Sequence, residues 1–533
     1  MLKLAKLFSN GMVLQREKQV HVWGDAEPDV DVRVTIQGQS AETRADAQGH
    51  FMLKLSPLEA SENETLVVQA GTEKLEITDV AVGEVYIAGG QSNMEFPLRY
   101  EKHRKEVLQT RDTLLRFFDT PKKYYDAQDT DFDYSAVGRW RKADSEENLG
   151  YFSAVAFYFA KEIREELHVP VGIVGCNWGG TRSCAWMSEE TVEKVGKPWL
   201  LEWEKATEGR DMDAFWASRK DDPQANAGNP CTSSFDEIVL QGTPSMEEIG
   251  KAMMEMAKAT MREIAEKDPS KAELLAAAED PAFMQKAMEQ YRDTLDARIK
   301  PGILYEHMVK EIAPFSARGV LWYQGESEDV AGLQPLYADM LEGLVSDWRK
   351  LWQDASMPFI EVQIPGWHDW MGQTALDYPS IRRCQEVVAE KVAYVYMASI
   401  SDVGEEHDIH PKDKRTVGHR MALLARHYIY GEEILCEAPR PIGISHNGAE
   451  IRIEMAHTGD GLRINGDTLE ALELCAGEDV IAYHASVEGD TLVLKLEQPT
   501  EKTVRIRFAR EAWYRVNLVN SAGIPAIPFE TRC

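Results

Sequence analysis

The feature that most constrains the fold of this sequence is a series of short apolar runs that end in polar, glycine-rich segments. Three runs have this form: Glu84–Ala88 (EVYIA) before GGQSNM, Val171–Gly175 (VGIVG) before CNWGGT, and Gly319–Tyr323 (GVLWY) before QGES. Two more apolar runs lie at Met357–Ile364 and Val392–Ile400. Helical patterns lie between or after the runs, at Ala154–Leu167 and Lys412–Tyr430. Continuous apolar runs of this length are typical of strands that are covered on both faces of a parallel sheet. We therefore predict a doubly wound α/β domain.

Alternating apolar and polar residues flank this region on both sides. Residues 1–82 contain short alternating runs between turns, and the alternation returns from about residue 442. Period-two alternation is typical of strands with one buried face. We predict an N-terminal β-sandwich at 1–82, a catalytic α/β domain at 83–435 and a C-terminal β domain at 436–533. Within the α/β domain, 187–300 is a long insertion, which we expect to be helical from Ser245 with a methionine face packed on the domain.

The charge balance excludes some classes of partner. The 533 residues carry a formal net charge of -30, whereas nucleic acid and anionic membranes require a basic face. No apolar run is long enough for a signal-peptide core or a membrane span. The seven cysteines are scattered and include no CxxC pair, which favours a reducing compartment. We expect a cytoplasmic protein that binds neither nucleic acid nor membrane; a homo-oligomer is one possible state.

The first glycine-rich segment, Gly89-Gly90-Gln91-Ser92-Asn93-Met94, places a serine directly after a predicted buried strand. In an open α/β sheet the carboxyl ends of the strands line the ligand crevice. Ser92 therefore has the position of a nucleophile, with neighbouring backbone N–H groups free to bind an oxyanion. The competing interpretation is a glycine-rich turn whose serine caps a helix, and the motif alone favours neither.

A second candidate group follows the last predicted strand, in DVGEEHDIHP at 402–411. Residues two apart in extended backbone project to the same side, so Asp408 can orient His410 while the other ring nitrogen faces a serine. Nucleophile, base and orienting acid are the parts of a serine hydrolase. One alternative is a loop histidine that caps the next helix. Another is a metal site built from Asp402, His407, Asp408 and His410, which is less favoured because HDIH lacks a recognised ligand spacing.

The other strand ends offer further polar groups. The paired glycines Gly179 and Gly180 let backbone N–H groups approach a ligand closely. Gln324 can present its side-chain amide to the same oxyanion. Glu326 is a candidate general acid or base, although a carboxylate at a strand end is more often a buried hydrogen-bonding centre.

Taken together, these segments resemble the successive sequence blocks of the sialate O-acetylesterase family of SGNH hydrolases. The blocks are LFSNGMVLQREKQVHVWG, VYIAGGQSNMEFPL, VGIVGCNWGGT, KPGILYEHMV, GVLWYQGES, IRRCQ and DIHPKDKRTVGHRMAL. They are spread over roughly residues 8–430. The resemblance implies a three-layer α/β hydrolase domain with a flavodoxin-like parallel sheet and flanking β-sandwich-like domains. It also implies no metal or other cofactor, and release of acetate from sugar hydroxyls.

The resemblance makes Ser92 the nucleophile and His410 the base. It places the Ser92 backbone, a glycine of Gly179-Gly180 and Gln324 in the oxyanion hole. Many SGNH enzymes have an aspartate three residues before the base, where this sequence has His407. We therefore choose Asp408 as the orienting acid, with the backbone carbonyl of residue 408 and the side chain of Asp402 as alternatives.

The expected substrate is a small molecule or an oligosaccharide. The residues expected to contact it lie in or beside the motifs: Gln91, Asn93, Trp178, Glu326 and Arg382. Glu328 and Glu306 depart from the family pattern and add negative charge near the expected pocket. They favour a neutral acetylated sugar, for example from xylan or mannan, over a sialic acid. Trp178, Trp322 and Trp367 are candidates for stacking on sugar rings, although each is more often a core residue.

Two rival functions remain open at this point. One is a carbohydrate-binding protein on a hydrolase scaffold, which would bind sugar without turnover. The other is a metal-dependent hydrolase that uses the segment of Asp402, His407 and His410.

Overall fold

The computed structural model describes residues 1–125, 138–218, 295–370 and 373–533. The helix predicted from Ser245, with its methionine face, lies outside these ranges. Within them, no helix is both long and apolar enough to cross a bilayer.

The N-terminal region consists of strands. They are β1 Lys3–Leu4, β2 Val13–Gln15, β3 Val20–Asp25, β4 Asp31–Ile36, β5 Gln39–Arg44, β6 His50–Leu55, β7 Ser61–Ala70 and β8 Glu73–Gly90. In β4 the side chains of Val32, Val34 and Ile36 are buried and the residues between them face outward. The predicted alternation is therefore realised as strands with one face on a core.

Strand β8 connects this region to the central sheet without interruption. Its first half pairs antiparallel with β7, and its second half, from Glu84 to Gly90, lies in the central parallel sheet. Gly83 marks the change, because a Cβ there would lie 1.9 Å from the carbonyl oxygen of Pro170. The predicted boundary between residues 82 and 83 therefore falls inside one strand, and the division into domains stays a prediction.

The central region contains the remaining strands of this sheet and a small hairpin. They are β9 Asp112–Asp119, β10 Trp140–Ala143, β11 Val171–Asn177, β12 Gly319–Tyr323, β13 Phe359–Gln363, β14 Asp369–Trp370, β15 Gln373–Thr374 and β16 Val395–Ser399. The order across the sheet is β10-β9-β11-β8-β12-β13-β16, and all neighbours are parallel except β10 and β9. Numbered along the chain, β11-β8-β12-β13-β16 have the order 2-1-3-4-5, which is that of flavodoxin-like sheets. The predicted α/β class is confirmed.

Helices cover the sheet. They are α1 Ser92–Glu95, α2 Arg104–Val107, α3 Glu146–Tyr151, α4 Ala154–Leu167, α5 Glu189–Val195, α6 Lys197–Thr207, α7 Met212–Ser218, α8 Lys310–Ile312, α9 Tyr337–Trp352, α10 Tyr378–Lys391 and α11 Lys414–Tyr428. Helix α4 packs closely against α11, where a Cβ at Gly418 would lie 2.6 Å from the Cβ of Tyr158. Helices α9 and α10 form a second packed pair. Because helices cover the apolar strands, the central sheet is buried.

The C-terminal region is again made of strands. They are β17 Arg440–Asn447, β18 Glu450–Ala456, β19 Arg463–Ile464, β20 Leu472–Ala476, β21 Asp479–Val480, β22 Tyr483–Glu488, β23 Thr491–Leu496, β24 Arg505–Phe508, β25 Leu518–Val519 and β26 Phe529–Arg532. They form two four-stranded antiparallel sheets, β17-β18-β23-β22 and β21-β20-β24-β26, and the pair β19-β25. A separate apolar core includes Ile451, Leu494 and Phe508.

Candidate active site

The candidate nucleophile lies where the chain leaves the central strand. Ser92 is the first residue of α1, two residues after the end of β8. Gly90 has a φ of +132°, and a Cβ there would lie 2.1 Å from the carbonyl oxygen of Tyr323 at the end of β12. Only glycine fits this close approach, which turns the chain out of the sheet at the junction of β8 and β12. That junction is the switch point where ligands bind in sheets of this order.

Three of the predicted side chains meet at this point. His410 Nε2 lies 2.8 Å from Ser92 Oγ, and its Nδ1 lies 3.6 Å from Asp408 Oδ1. The same Asp408 oxygen accepts the backbone N–H of His410 at 2.8 Å. Asp408 Oδ2 binds the Lys412 ammonium at 2.6 Å. Asp408 therefore fixes the backbone of the base as well as facing its ring.

The electrostatic setting suits a base and its orienting acid. Burial acts to raise the pKa of Asp408, but the hydrogen bond with His410 and the Lys412 ammonium outweigh it and lower the pKa to about 2. Burial lowers the pKa of His410, and Asp408 opposes this shift. At neutral pH the carboxylate is thus ionised and the imidazole is neutral, the state in which it can accept a proton.

The alternative acids and metal ligands have other partners. Asp402 forms a bidentate ion pair with Arg420, at 2.5 and 2.8 Å. His407 Nδ1 lies 2.5 Å from Asp369 on the hairpin β14-β15. In the part of the chain that the structure describes, no three His, Cys, Asp or Glu side chains form a group that could hold a metal ion. The segment 402–410 is therefore arranged around the ion pairs of Asp402 with Arg420 and of Asp408 with Lys412, and around two Asp–His pairs.

Two of the predicted oxyanion donors have other partners. The Gly179 N–H donates to Glu95 Oε2 at 2.7 Å. The Gln324 amide is fully buried, donates to Glu328 and to the carbonyl of Thr181, and accepts from the Tyr337 hydroxyl. The oxyanion roles predicted for Gly179 and Gln324 therefore need correction, whereas Ser92 and Gly180 of the same predicted set stay candidates.

Two backbone N–H groups remain near the nucleophile. Within the described ranges, the N–H groups of Ser92 and Gly180 donate to no other residue. Gly180 has a φ of +72°, and its neighbour Gly179 lies against Ser92, since a Cβ at Gly179 would be 3.2 Å from the Ser92 Cβ. This geometry leaves these two N–H groups available for an oxyanion.

Several predicted substrate contacts prove to be internal. Gln91 accepts the backbone N–H of Ser327 at 3.2 Å, and Asn93 donates to Glu326 Oε1 and to the carbonyl of Ile409. All three of Gln91, Asn93 and Glu326 are buried. They connect the ends of β8 and β12 to the loop of the base, so they hold the site together and do not face its opening.

Arg382 also has a different place from the one predicted. It is buried on α10, donates to the carbonyl of Glu511 and lies 4.9 Å from the ring of Tyr514. It therefore joins the α/β region to the C-terminal strands. A substrate contact by Arg382 is wrong for this structure, because its charge points into that junction.

The tryptophans divide into core and site residues. Trp322 and Trp367 are buried, so they cannot stack on a sugar. Trp178 is half-buried, and the Lys122 ammonium and the Arg298 guanidinium lie 5.8 and 5.9 Å from the centroid of its ring. Trp370, which the sequence analysis missed, is half-buried and meets the His410 ring edge-on at 4.9 Å.

The two departures from the family pattern do not charge the pocket. Glu328 is buried and accepts the backbone N–H of Ser183 at 2.6 Å, and burial raises its pKa toward the neutral form. Glu306 is paired with Lys310 at 2.6 Å, one helical turn away. Glu328 is thus an internal hydrogen-bonding group and Glu306 is paired with a cation, and the predicted preference for a neutral sugar stays a prediction.

Lys414, Glu95 and Phe96 are further residues of the site that sequence reasoning missed. Lys414 belongs to the quoted block DIHPKDKR, and Glu95 and Phe96 belong to GGQSNMEF. Their place within the motifs was the available signal. Nothing in the spacing alone indicated that they lie near Ser92 and His410.

Comparison with known proteins agrees with this geometry. A family model described as carbohydrate esterase, sialic acid-specific acetylesterase, matches residues 220–427. The sialate O-acetylesterase of Mus musculus is 25% identical, over 99% of this chain and 94% of its own length. The human sialate O-acetylesterase is also 25% identical, over 82% of this chain and 73% of its own.

The chain is a carboxylic ester hydrolase that is similar to the sialate O-acetylesterases. Its fold is also similar to that of a solved carbohydrate acetylesterase. A carbohydrate acetylesterase from Xanthomonas citri aligns over 100% of this chain and 99% of its own, with a TM-score of 0.71 and 25% identity. The carboxylic ester hydrolase predicted from the ordered motifs is thus confirmed.

Proposed function

We propose that this chain is a serine esterase that removes O-acetyl groups from carbohydrates through an acetyl-serine intermediate. The observation that carries the proposal is the 2.8 Å contact of Ser92 Oγ with His410 Nε2, beside an ionised Asp408. Its framework is a three-layer SGNH-type domain between β-rich N- and C-terminal regions. Similarity to carbohydrate esterases supports the ester bond, and the names of the relatives favour acetyl groups on sugars.

The reaction proceeds in two steps. His410 takes the Ser92 proton as Ser92 Oγ attacks the acetyl carbonyl, and the backbone N–H groups of Ser92 and Gly180 bind the oxyanion. The sugar oxygen then leaves with the proton from His410. Water enters, loses a proton to His410 and attacks the acetyl-serine, which releases acetate and restores Ser92.

The sugar remains a choice between neutral and anionic acetylated carbohydrates. Glu328 and Glu306 no longer argue against an anionic sugar, and the two cations near the Trp178 ring, Lys122 and Arg298, are themselves paired with Glu95 and Asp296. Both an oligosaccharide from xylan or mannan and an O-acetyl sialic acid therefore belong in the first substrate series. A cytoplasmic location and a homo-oligomer stay predictions.

Acetate release tests the proposal. Acetylated xylan, acetylated mannan and O-acetyl sialic acid should be compared, with p-nitrophenyl acetate as a substrate that lacks sugar. We expect Ser92→Ala to abolish turnover of every ester, because it removes the nucleophile while leaving the fold. Full activity of Ser92→Ala would overturn the assignment. Sugar binding without acetate release by the wild type would favour the rival carbohydrate-binding protein, and loss of activity to EDTA would favour the metal-dependent rival.

A further inference from the structure

A fully buried lysine lies directly behind the catalytic pair. Lys414 is the first residue of α11, four residues after His410, and its side chain is 0% exposed. Its ammonium lies 4.9 Å from the ring of Phe96 and 5.3 Å from the ring of Tyr323. An ammonium is taken out of water only at a cost, so such a group is kept where its charge or its hydrogen bonds serve a purpose.

The hydrogen bonds of Lys414 lead to both sides of the site. Its Nζ donates to Asn93 Oδ1, and Asn93 follows the nucleophile directly in the chain. Asn93 Nδ2 donates in turn to the carbonyl of Ile409, the residue before His410, at 2.9 Å, and to Glu326 Oε1. One amide thus joins the turn of Ser92 to the loop of His410, and Lys414 fixes the orientation of that amide.

The charge of Lys414 acts on the base, and both groups contact the same aromatic ring. The Phe96 ring lies 4.9 Å from the Lys414 ammonium and is stacked on His410 at 6.4 Å between centroids. The charged or titratable groups around the ammonium are Lys412, Glu326, Asp408, Glu405 and His410 itself. Burial and Lys412 lower the pKa of Lys414 to about 7, while the three carboxylates oppose them. Lys414 is therefore cationic at the acidic pH values where His410 takes up its proton.

We propose that Lys414 is a positioning residue: through Asn93 it ties the nucleophile turn to the loop of the base, and its charge favours the neutral, proton-accepting form of His410. The inference rests on the proposed roles of Ser92 and His410. It assigns a use to a buried cation that takes no part in proton transfer itself.

The pH dependence of kcat/KM for p-nitrophenyl acetate tests both parts. In Lys414→Met the positive charge that disfavours the imidazolium is gone, so the pKa of His410 rises. The acidic limb of the profile should move upward by about half to one pH unit. The plateau should fall about tenfold or more, because the two loops lose their shared hydrogen bonds.

Lys102→Met is the matched control. Lys102 pairs with Asp413 at the surface beside the same loop, at 3.1 Å, and its side chain is largely exposed. The same substitution there should leave the acidic limb where it is. Thermal unfolding of both variants shows whether they are folded. Asn93→Asp is a second test variant, which places a carboxylate beside the Lys414 ammonium. It should move the acidic limb upward in pH, as Lys414→Met does.

The proposal is overturned if the acidic limb of the kcat/KM profile stays at the wild-type pH in folded Lys414→Met and Asn93→Asp. This holds at any plateau value of kcat/KM, because a merely structural role lowers the plateau and leaves the limb in place. A failure of the esterase assignment is distinguishable, since it appears as activity that survives Ser92→Ala.

Discussion

Asp408→Asn separates the candidate orienting acid from its rivals. The carboxylate has three partners at once: the ring of His410 at 3.6 Å, the backbone N–H of His410 at 2.8 Å and the Lys412 ammonium at 2.6 Å. An amide of the same shape keeps one acceptor for the backbone N–H but loses the charge. We therefore expect the loop to stay in place and the chemistry to suffer.

The size of the effect on stability follows from the pKa of Asp408. The folded protein lowers it from 3.8 to about 2, and its side chain is only 9% exposed. A depression of this size corresponds to about 2 kcal/mol in the free energy of unfolding. A depressed acid pKa gives stability that is complete above the unfolded value and is lost as pH falls through the folded value. The difference in the free energy of unfolding between wild type and Asp408→Asn, measured in urea, should therefore be largest above about pH 4 and vanish toward pH 2.

Asp408→Asn should change both the rate of catalysis and its pH dependence. Loss of the carboxylate should lower kcat for p-nitrophenyl acetate by about 10²–10⁴-fold, since the imidazolium formed in the transition state loses its counter-charge. Asp408 also raises the pKa of His410. The acidic limb of kcat/KM should therefore move to lower pH, opposite to its movement in Lys414→Met.

Asp402→Asn is the control for this prediction. Asp402 is paired with Arg420, so its loss should leave the acidic limb unchanged and reduce kcat far less. Wild-type kcat in Asp408→Asn would refute the role of its side chain. A large loss in Asp402→Asn alone would assign that role to Asp402, the other acid considered.

Two further substitutions examine the walls of the site. Trp370→Ala should raise KM for an acetylated sugar about five- to tenfold, because the indole beside His410 offers a face to the leaving sugar. The value of kcat/KM for ethyl acetate, which has no sugar, should stay within about twofold. An equal loss of kcat/KM on both esters would exclude a sugar-stacking role for Trp370. Glu95→Gln weakens the hydrogen bond that Glu95 accepts from the Gly179 N–H, and it should lower kcat for all esters about 10- to 100-fold at unchanged KM. Acetate release measured over time gives both constants. An unchanged kcat would show that this contact does not position the neighbouring Gly180.

The local sequence determined the elements that carry the site. Apolar runs such as Glu84–Ala88 and Gly319–Tyr323 lie in the buried strands β8 and β12, because only covered strands tolerate continuous apolar residues. The glycine-rich segments after them indicated where the chain turns, and their order along the chain indicated the family. Ser92 and His410 were named from these signals alone.

Tertiary structure decided the partners of each polar group. Gln324, Glu328 and Arg382 all lie in or next to quoted motifs, yet each is buried against groups that are distant in the chain: Thr181, Ser183 and Glu511. No sequence signal distinguishes Trp322 from Trp370, but Trp322 is in the core and Trp370 lies beside His410. The reason is physical: periodicity tells which face of an element is covered, whereas the hydrogen-bond partner of a side chain depends on which distant segment the fold brings within about 3 Å of it. The sequence by itself thus determined the strands and the turns and predicted the pair of Ser92 and His410, and only the packing of those strands decided which neighbours surround that pair.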